Sequence, residues 1–152
     1  MSLEKDIQQT KFRSELQKAV INIIYTHNYI NEKNKQIFEK GDITPQQFNI
    51  LRILRGAGKP LSTLQIRQRM LDKMSDTSRI VDRLLKKGLV EKVICAKDRR
   101  LVDVTISDAG KALLHQLDQY EPEMDAILGN LTNEEAVMLN KLLDKIRNSE
   151  GE

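Results

Sequence analysis

PLSTLQIRQRMLDKMSDTSRIVDRLLKKGLVEKVICAKDRRLVDVTIS, running from Pro60 to Ser107, carries the signals that decide the fold. Ser62 and Gln65 form a capping box, in which each side chain satisfies a backbone N–H at the opening of a helix. A helix is therefore predicted from Thr63, with Leu61, Ile66 and Met70 supplying its apolar side. After a break at Asp72 to Met74, Ser75 is placed to cap a second helix, and Gly88 to stop it, because glycine tolerates left-handed backbone. At about 100° per residue, Thr77, Ile80, Val81 and Leu84 fall on one side of that helix. Ser75, Ser78, Arg79, Asp82 and Lys86 fall on the other, with Arg83 at the edge. Leu89 to Cys95 and Leu101 to Ser107 then read as two strands, since Val102, Val104 and Ile106 alternate with Leu101, Asp103 and Thr105. Helix, turn, helix and hairpin in this order predict a winged helix-turn-helix.

The outward side of the second helix is polar, with Arg79 near its centre. Such a face suits a major groove, where Arg can donate two parallel hydrogen bonds to guanine and Ser can donate or accept. Ser75, Ser78 and Arg79 are thus the candidate base readers. The hairpin tip holds Lys97, Asp98, Arg99 and Arg100, and a thin arm with Arg at its end can enter a minor groove, whose narrow A·T-rich stretches concentrate negative potential. Asp98 is out of place against phosphate unless it has a local task, and the expectation is that it holds Arg100 in an extended pose. Lys73, Arg83, Lys86, Lys97 and Arg99 are the candidates to neutralise phosphates.

Charge is distributed accordingly. Residues 60–100 hold eleven Lys and Arg against five Asp and Glu, whereas residues 101–152 hold four against eleven, although the whole chain is only +3. A basic centre and an acidic tail separate a nucleic-acid face from the rest of the molecule. For the tail, the plainer reading is a solvated helix surface. The chain, at 152 residues and 39% apolar, is long and apolar enough for one ordinary domain with a core. No run of 18 apolar residues exists, and Met1 to Thr10 lacks the apolar centre of a secretion signal, so a cytoplasmic protein with no membrane partner is expected. The single cysteine fits a reducing compartment.

Both ends of the chain read as a dimerisation frame. Phe12, Leu16, Ala19, Val20, Ile23, Ile24, His27, Ile30, Ile37 and Phe38 recur at spacings of three and four, which predicts a helix of roughly 30 residues stopping at Gly41. So long a helix outreaches a small domain and needs a partner surface. Ser107 can cap a helix carrying Leu113, Leu114, Leu117 and Tyr120, interrupted near Pro122. Thr132 and Glu135 form another capping box, opening a last helix with Val137, Leu139, Leu142, Leu143 and Ile146. The division expected is a long dimerisation helix over 1–41, a winged helix-turn-helix over 42–107 and dimerisation helices over 108–152. The fold class is mainly α with a small β-hairpin wing. The first and last helices should interlock with their twofold mates, setting two recognition helices about 34 Å apart, one turn of duplex, or a small multiple of that.

Catalysis finds little support: no Gly-rich phosphate loop, nucleophile elbow or histidine pair at ligand spacing is present. No cofactor and no metal is expected. His27 and His115 read as packed or interface residues, and the Asp118, Glu121, Glu123 and Asp125 run as a wet helix surface. Cys95, near Lys92 and Lys97, reads as a structural thiol in a wing strand.

Gly88-Leu89-Val90-Glu91, then Asp98-Arg99-Arg100, then Val104-Thr105-Ile106-Ser107 and Gly110 resemble the wing signature of the MarR family of bacterial regulators. Thr44-Pro45-Gln46-Gln47-Phe48 with Leu51 and Leu54 is similar to the helix that precedes it there. The resemblance implies a homodimer that binds palindromic operators in double-stranded DNA, usually as a repressor, and often releases them when a small phenolic or other lipophilic effector binds. It also implies a ligand pocket between the long first helix, the DNA-binding domain and the dimer helices, for which Tyr25, Tyr29 and Phe38 are the aromatic candidates. Peroxide sensors of the family carry their reactive thiol on the first helix, unlike Cys95. Arg67 departs from the family, which usually has a small residue there against the recognition helix. The alternative is a winged-helix module that docks on another protein, whose face would be more apolar and less basic than Ser75, Ser78, Arg79, Arg83 and Lys86.

Overall fold

Capping chemistry sets most of the helix starts. In the computed structural model, which describes residues 1–95 and 97–148, the chain opens with a short helix α1 (Leu3–Asp6) and the long α2 (Glu15–Glu39). Ser14 caps α2 by accepting from the Gln17 N–H at 3.1 Å. The long helix is thus 25 residues, and Phe12 lies before it. Gly41 does not stop it by left-handed backbone: the left-handed residue is Asp42, with φ of 54°. What Gly41 supplies is closeness, because a Cβ there would stand 3.0 Å from a methyl of Leu113 and 3.3 Å from both methyls of Leu117.

α3 (Pro45–Ala57) begins with a reciprocal capping box between Thr44 and Gln47 and ends at Gly58, whose φ is 63°. β1 (Leu61–Ser62) is a two-residue strand, and Ser62 and Gln65 then make the expected capping box that opens α4 (Thr63–Arg69). α5 (Thr77–Lys86) ends at Gly88 with φ of 73°, as its sequence position requires. β2 (Val90–Ile94) and β3 (Val102–Ile106) form the hairpin, each one residue shorter at both ends than the alternation suggests. β1 pairs with β3 as well, giving an antiparallel sheet in the order β1-β3-β2, with Leu61 opposite Val104 and Val90 opposite Ile106. Ser107 caps α6 (Asp108–Asp118) by accepting from the Gly110 N–H at 3.1 Å.

Ile50, Leu51 and Leu54 from α3, Leu61, Ile66, Leu84 and Val104 from the winged helix, and Leu114 and Leu117 from α6 are fully buried. Ile37 and Phe38 at the end of α2 are buried too. Arg55 on α3 reaches Asp118 on α6, its Nη1 lying 3.1 and 3.0 Å from the two carboxylate oxygens. The chain up to Gln119 packs as one unit.

From Tyr120 onward the chain forms a second unit, consisting of α7 (Glu121–Ala126) and α8 (Asn133–Arg147). Pro122 takes the second position of α7, where no intrahelical N–H bond is lost, so the proline opens a helix after the interruption. Thr132 and Glu135 cap α8 reciprocally, as their spacing predicts. Ala96 in the wing tip and the last four residues of the C-terminal segment lie outside the described residues.

Candidate nucleic-acid interface

α5 buries Thr77, Val81 and Leu84 and turns Ser78, Arg79, Asp82, Arg83 and Lys86 to solvent. Its cap differs from the sequence expectation. Asp76, not Ser75, is the N-cap residue, its carboxylate accepting from the Arg79 N–H at 3.2 Å. A charged carboxylate suits the positive end of the helix dipole better than a hydroxyl. The Ser75 hydroxyl instead donates to the Asp72 carbonyl at 2.7 Å, and Ser75 is half-buried ahead of the helix. Arg79, Arg83 and Lys86 make no ion pair among the described residues. Lys73 is exposed, with its ammonium donating to the Gln68 carbonyl.

The wing tip is built around Asp98. It accepts from the Arg100 backbone N–H at 3.0 Å, from Arg100 Nε at 3.1 Å and from Nη2 at 3.2 Å. Its backbone carbonyl accepts from the Leu101 N–H at 3.0 Å. The Arg100 guanidinium, then its backbone N–H, hold the Asp98 carboxyl below its ordinary value of 3.8, with burial opposing. Arg100 is thereby oriented by a residue two positions away while remaining exposed. Lys97 and Arg99 flank it, both exposed. Cys95 is half-buried just after β2, its N–H bonded to the Leu101 carbonyl.

Two positioning contacts were not legible in the sequence pattern. Asn49 on α3 is buried, and its Oδ1 accepts from the Leu71 N–H at 2.9 Å, tying the turn between α4 and α5 to the core. Ser107 donates from Oγ to the Gly88 carbonyl at 2.6 Å and its N–H reaches the Leu89 carbonyl at 3.1 Å, which joins the end of α5 to the root of the wing. Gly110 sits against this joint, where a Cβ would lie 2.2 Å from the Leu89 carbonyl oxygen. Lys87, beside the cationic face in sequence, points elsewhere: its ammonium donates to the Asp42 carbonyl and lies 3.4 Å from Gln47 Oε1. Arg67 is exposed on α4, so its bulk does not enter the packing of α4 with α5.

The three aromatic pocket candidates differ in their surroundings, although Tyr25 and Tyr29 lie one turn apart on α2. Phe38 is a core residue, buried and stacked on Phe48 with ring centroids 4.1 Å apart, whereas Tyr25 and Tyr29 are exposed on α2. Phe38 is buried because the C-terminal end of α2 packs on α3. A shallow cavity of about 230 Å³ lies instead where the end of α2, the start of α3 and Lys87 meet. His27 and His115 are exposed, His27 lying 2.9 Å from the Asn31 amide. Among the described residues, no group of three His, Cys, Asp or Glu is placed to hold a metal ion, and no helix is long and apolar enough to cross a membrane.

A polar helix face beside a cationic hairpin, both mounted on α3, defines the class: a winged-helix regulator. A sequence profile described as the MarR family matches residues 41–101. The chain is 33% identical over 108 residues to the multiple antibiotic resistance protein MarR of Salmonella typhimurium, covering 69% of this chain and 74% of that one. Its fold superposes with a TM-score of 0.82 on a mutant MarR from Escherichia coli complexed with operator DNA, at 24% identity over 91% of this chain and 100% of the other. It superposes with a TM-score of 0.80 on an organohalide-sensing transcriptional regulator in its 2,4-dichlorophenol-bound form, at 21% identity over 92% and 86% of the two chains. The chain belongs to the MarR family of transcriptional regulators.

Proposed function

We propose that this chain is a homodimeric repressor that binds palindromic operators in duplex DNA and is released by a small phenolic or other lipophilic effector. The observation that carries the reading is the solvent side of α5, where Ser78, Arg79, Arg83 and Lys86 are exposed without carboxylate partners among the described residues. Ser78 and Arg79 read bases, with Ser75 able only to accept because its hydroxyl proton is bonded to the Asp72 carbonyl, Asp98 and Arg100 form the minor-groove tip, and Lys73, Arg83, Lys86, Lys97 and Arg99 neutralise phosphates. The operator complex of the Escherichia coli protein supports DNA as the partner, and the dichlorophenol complex supports a phenol as the effector class. Tyr25, Tyr29 and Phe38 are the aromatic candidates for contacting it, the two tyrosines exposed and Phe38 buried. The chain acts as a binding protein in the cytoplasm, with no cofactor.

Dimerisation is supported by apolar stripes that lie open to solvent. Leu16, Val20 and Ile24 stand four residues apart on α2, as do Met138, Leu142 and Ile146 on α8, and all six are exposed. Covering a large apolar side chain contributes roughly 1.5–3 kcal/mol, so a second copy seated on these stripes offsets the entropy of association.

Fluorescence anisotropy on labelled duplex at two salt concentrations tests the reading. With several cations per protomer on phosphates, affinity should fall by about a thousandfold or more between roughly 50 and 200 mM salt. Absence of binding to any duplex in dilute buffer, or binding indifferent to salt, contradicts it and leaves the protein-docking alternative.

A further inference from the structure

The turn between α4 and α5 holds two apolar side chains in water: Leu71 is 82% exposed and Met74 is 92% exposed. Single exposed apolar residues are ordinary on protein surfaces. Here, however, the backbone that carries them is pinned. The Leu71 N–H donates to buried Asn49, the Met74 N–H donates to Asp72 Oδ1 at 3.0 Å, and both the N–H and the hydroxyl of Ser75 donate to the Asp72 carbonyl, at 3.3 and 2.7 Å. Lys73, between the two apolar residues, is tied back to the Gln68 carbonyl. Backbone held in this way fixes where Met74 leaves the chain, beside the first turn of α5, with its side chain in solvent.

Its position identifies what it can touch. Met74 precedes the N-cap Asp76 by two residues, which puts it at the leading end of α5, the end that a recognition helix directs toward base edges. Arg67, Arg69, Lys73 and Arg79 surround the turn in sequence, and the two carboxylates among them, Asp72 and Asp76, are each turned onto a backbone N–H. That charge pattern favours a polyanion over an apolar protein surface. On the major-groove edges of duplex DNA the one apolar group is the C5 methyl of thymine. We propose that Met74, exposed on the turn it shares with Leu71, reads a thymine C5 methyl at one position in each operator half-site. The thioether is polarisable and unbranched, so it can seat on a methyl without the fixed geometry that a hydrogen bond demands.

This inference rests on the duplex-binding reading, and replacing thymine by uracil separates the two. An operator is first selected with the wild-type protein, and each thymine of the half-site is then replaced in turn by uracil, which deletes the methyl and leaves every hydrogen-bonding edge intact. One position should weaken wild-type binding about fourfold per half-site, the factor for one buried methyl. Met74→Ala should bind the thymine operator more weakly than wild type does and bind thymine and uracil duplexes equally. Because Met74 is almost wholly exposed, the circular dichroism of that variant should match wild type. The proposal is overturned if wild type binds its operator but is indifferent to uracil everywhere, or if Met74→Ala keeps the same uracil penalty. A wild type that selects no operator overturns the function reading instead, and this proposal with it.

Discussion

Arg79 and Arg100 are both exposed arginines, yet only Arg100 is held by a carboxylate, that of Asp98. Arg79 is therefore available for two parallel hydrogen bonds to a guanine, and Arg79→Ala should cost about 1–3 kcal/mol on the selected operator and relax its preference at one position. Lys86→Ala should weaken all duplexes alike and flatten the salt slope by about one unit, as expected for a phosphate contact. Parallel titrations of both variants on cognate and scrambled duplexes check the contrast, and equal behaviour would contradict the division of roles. Asp98 belongs to a different argument. Its folded carboxyl is held below 3.8 by Arg100, so the contribution of the clamp is present in full above that value and is lost only as pH falls below it. Operator binding should show no step from this group between neutral and mildly acid pH, whereas Asp98→Asn should weaken binding at every pH; a wild-type step near neutrality would rule the clamp out as its cause. The Asp98–Arg100 contact could be anticipated because a lone carboxylate among three cations needs a partner. The cap itself is one residue later than the pattern indicates: the Ser75 hydroxyl bonds the Asp72 carbonyl, and Asp76 caps the helix.

At the scale of elements, the joint between α5, the wing and α6 is where the interface is held in register. Gly110→Ala places a methyl 2.2 Å from the Leu89 carbonyl and 2.7 Å from an Ile106 side-chain carbon, and backbone has little room to give. A loss of about 1–3 kcal/mol is expected, read as a lower urea midpoint with unchanged slope. Gly56, in the last turn of α3, has nothing within 4 Å of its Cβ position, so Gly56→Ala should stabilise by about 0.5–1 kcal/mol. Finding the two changes equal in sign would undermine the packing assigned to the joint. Most elements were legible because their signals are local: a capping box spans four residues and strand alternation a handful. The two-residue β1 carries no such signal, since its strand character exists only through pairing with β3. Asn49 was illegible for the same reason: a polar residue within an apolar helix pattern gives no sign that it is buried on a backbone N–H 22 residues away.

For the whole molecule, the open stripes on α2 and α8 carry the argument for two copies. α2 alone extends about 37 Å at 1.5 Å per residue, more than the roughly 30 Å diameter of a small domain. Val20→Glu would put a carboxylate into a surface that a second copy should cover, so it should yield monomers in sedimentation equilibrium and lower operator affinity by orders of magnitude. A variant that stays dimeric and binds normally would move the interface away from α2. The periodicity of α2 is visible in the sequence, although the helix is 25 residues rather than roughly 30, and Ile37 and Phe38 at its end belong to the core rather than to the stripe. Periodicity marks apolar faces without naming what covers them, so Phe38 reads in sequence as part of the same stripe as Val20 and Ile24.

Selection of bound fragments from random duplex DNA tests most directly whether a symmetric pair presents two α5 helices to adjacent grooves. The expected product is a palindrome whose half-sites are centred about one helical turn, or a small multiple of it, apart. Enrichment of a single unrepeated half-site, or of no sequence at all, would contradict it.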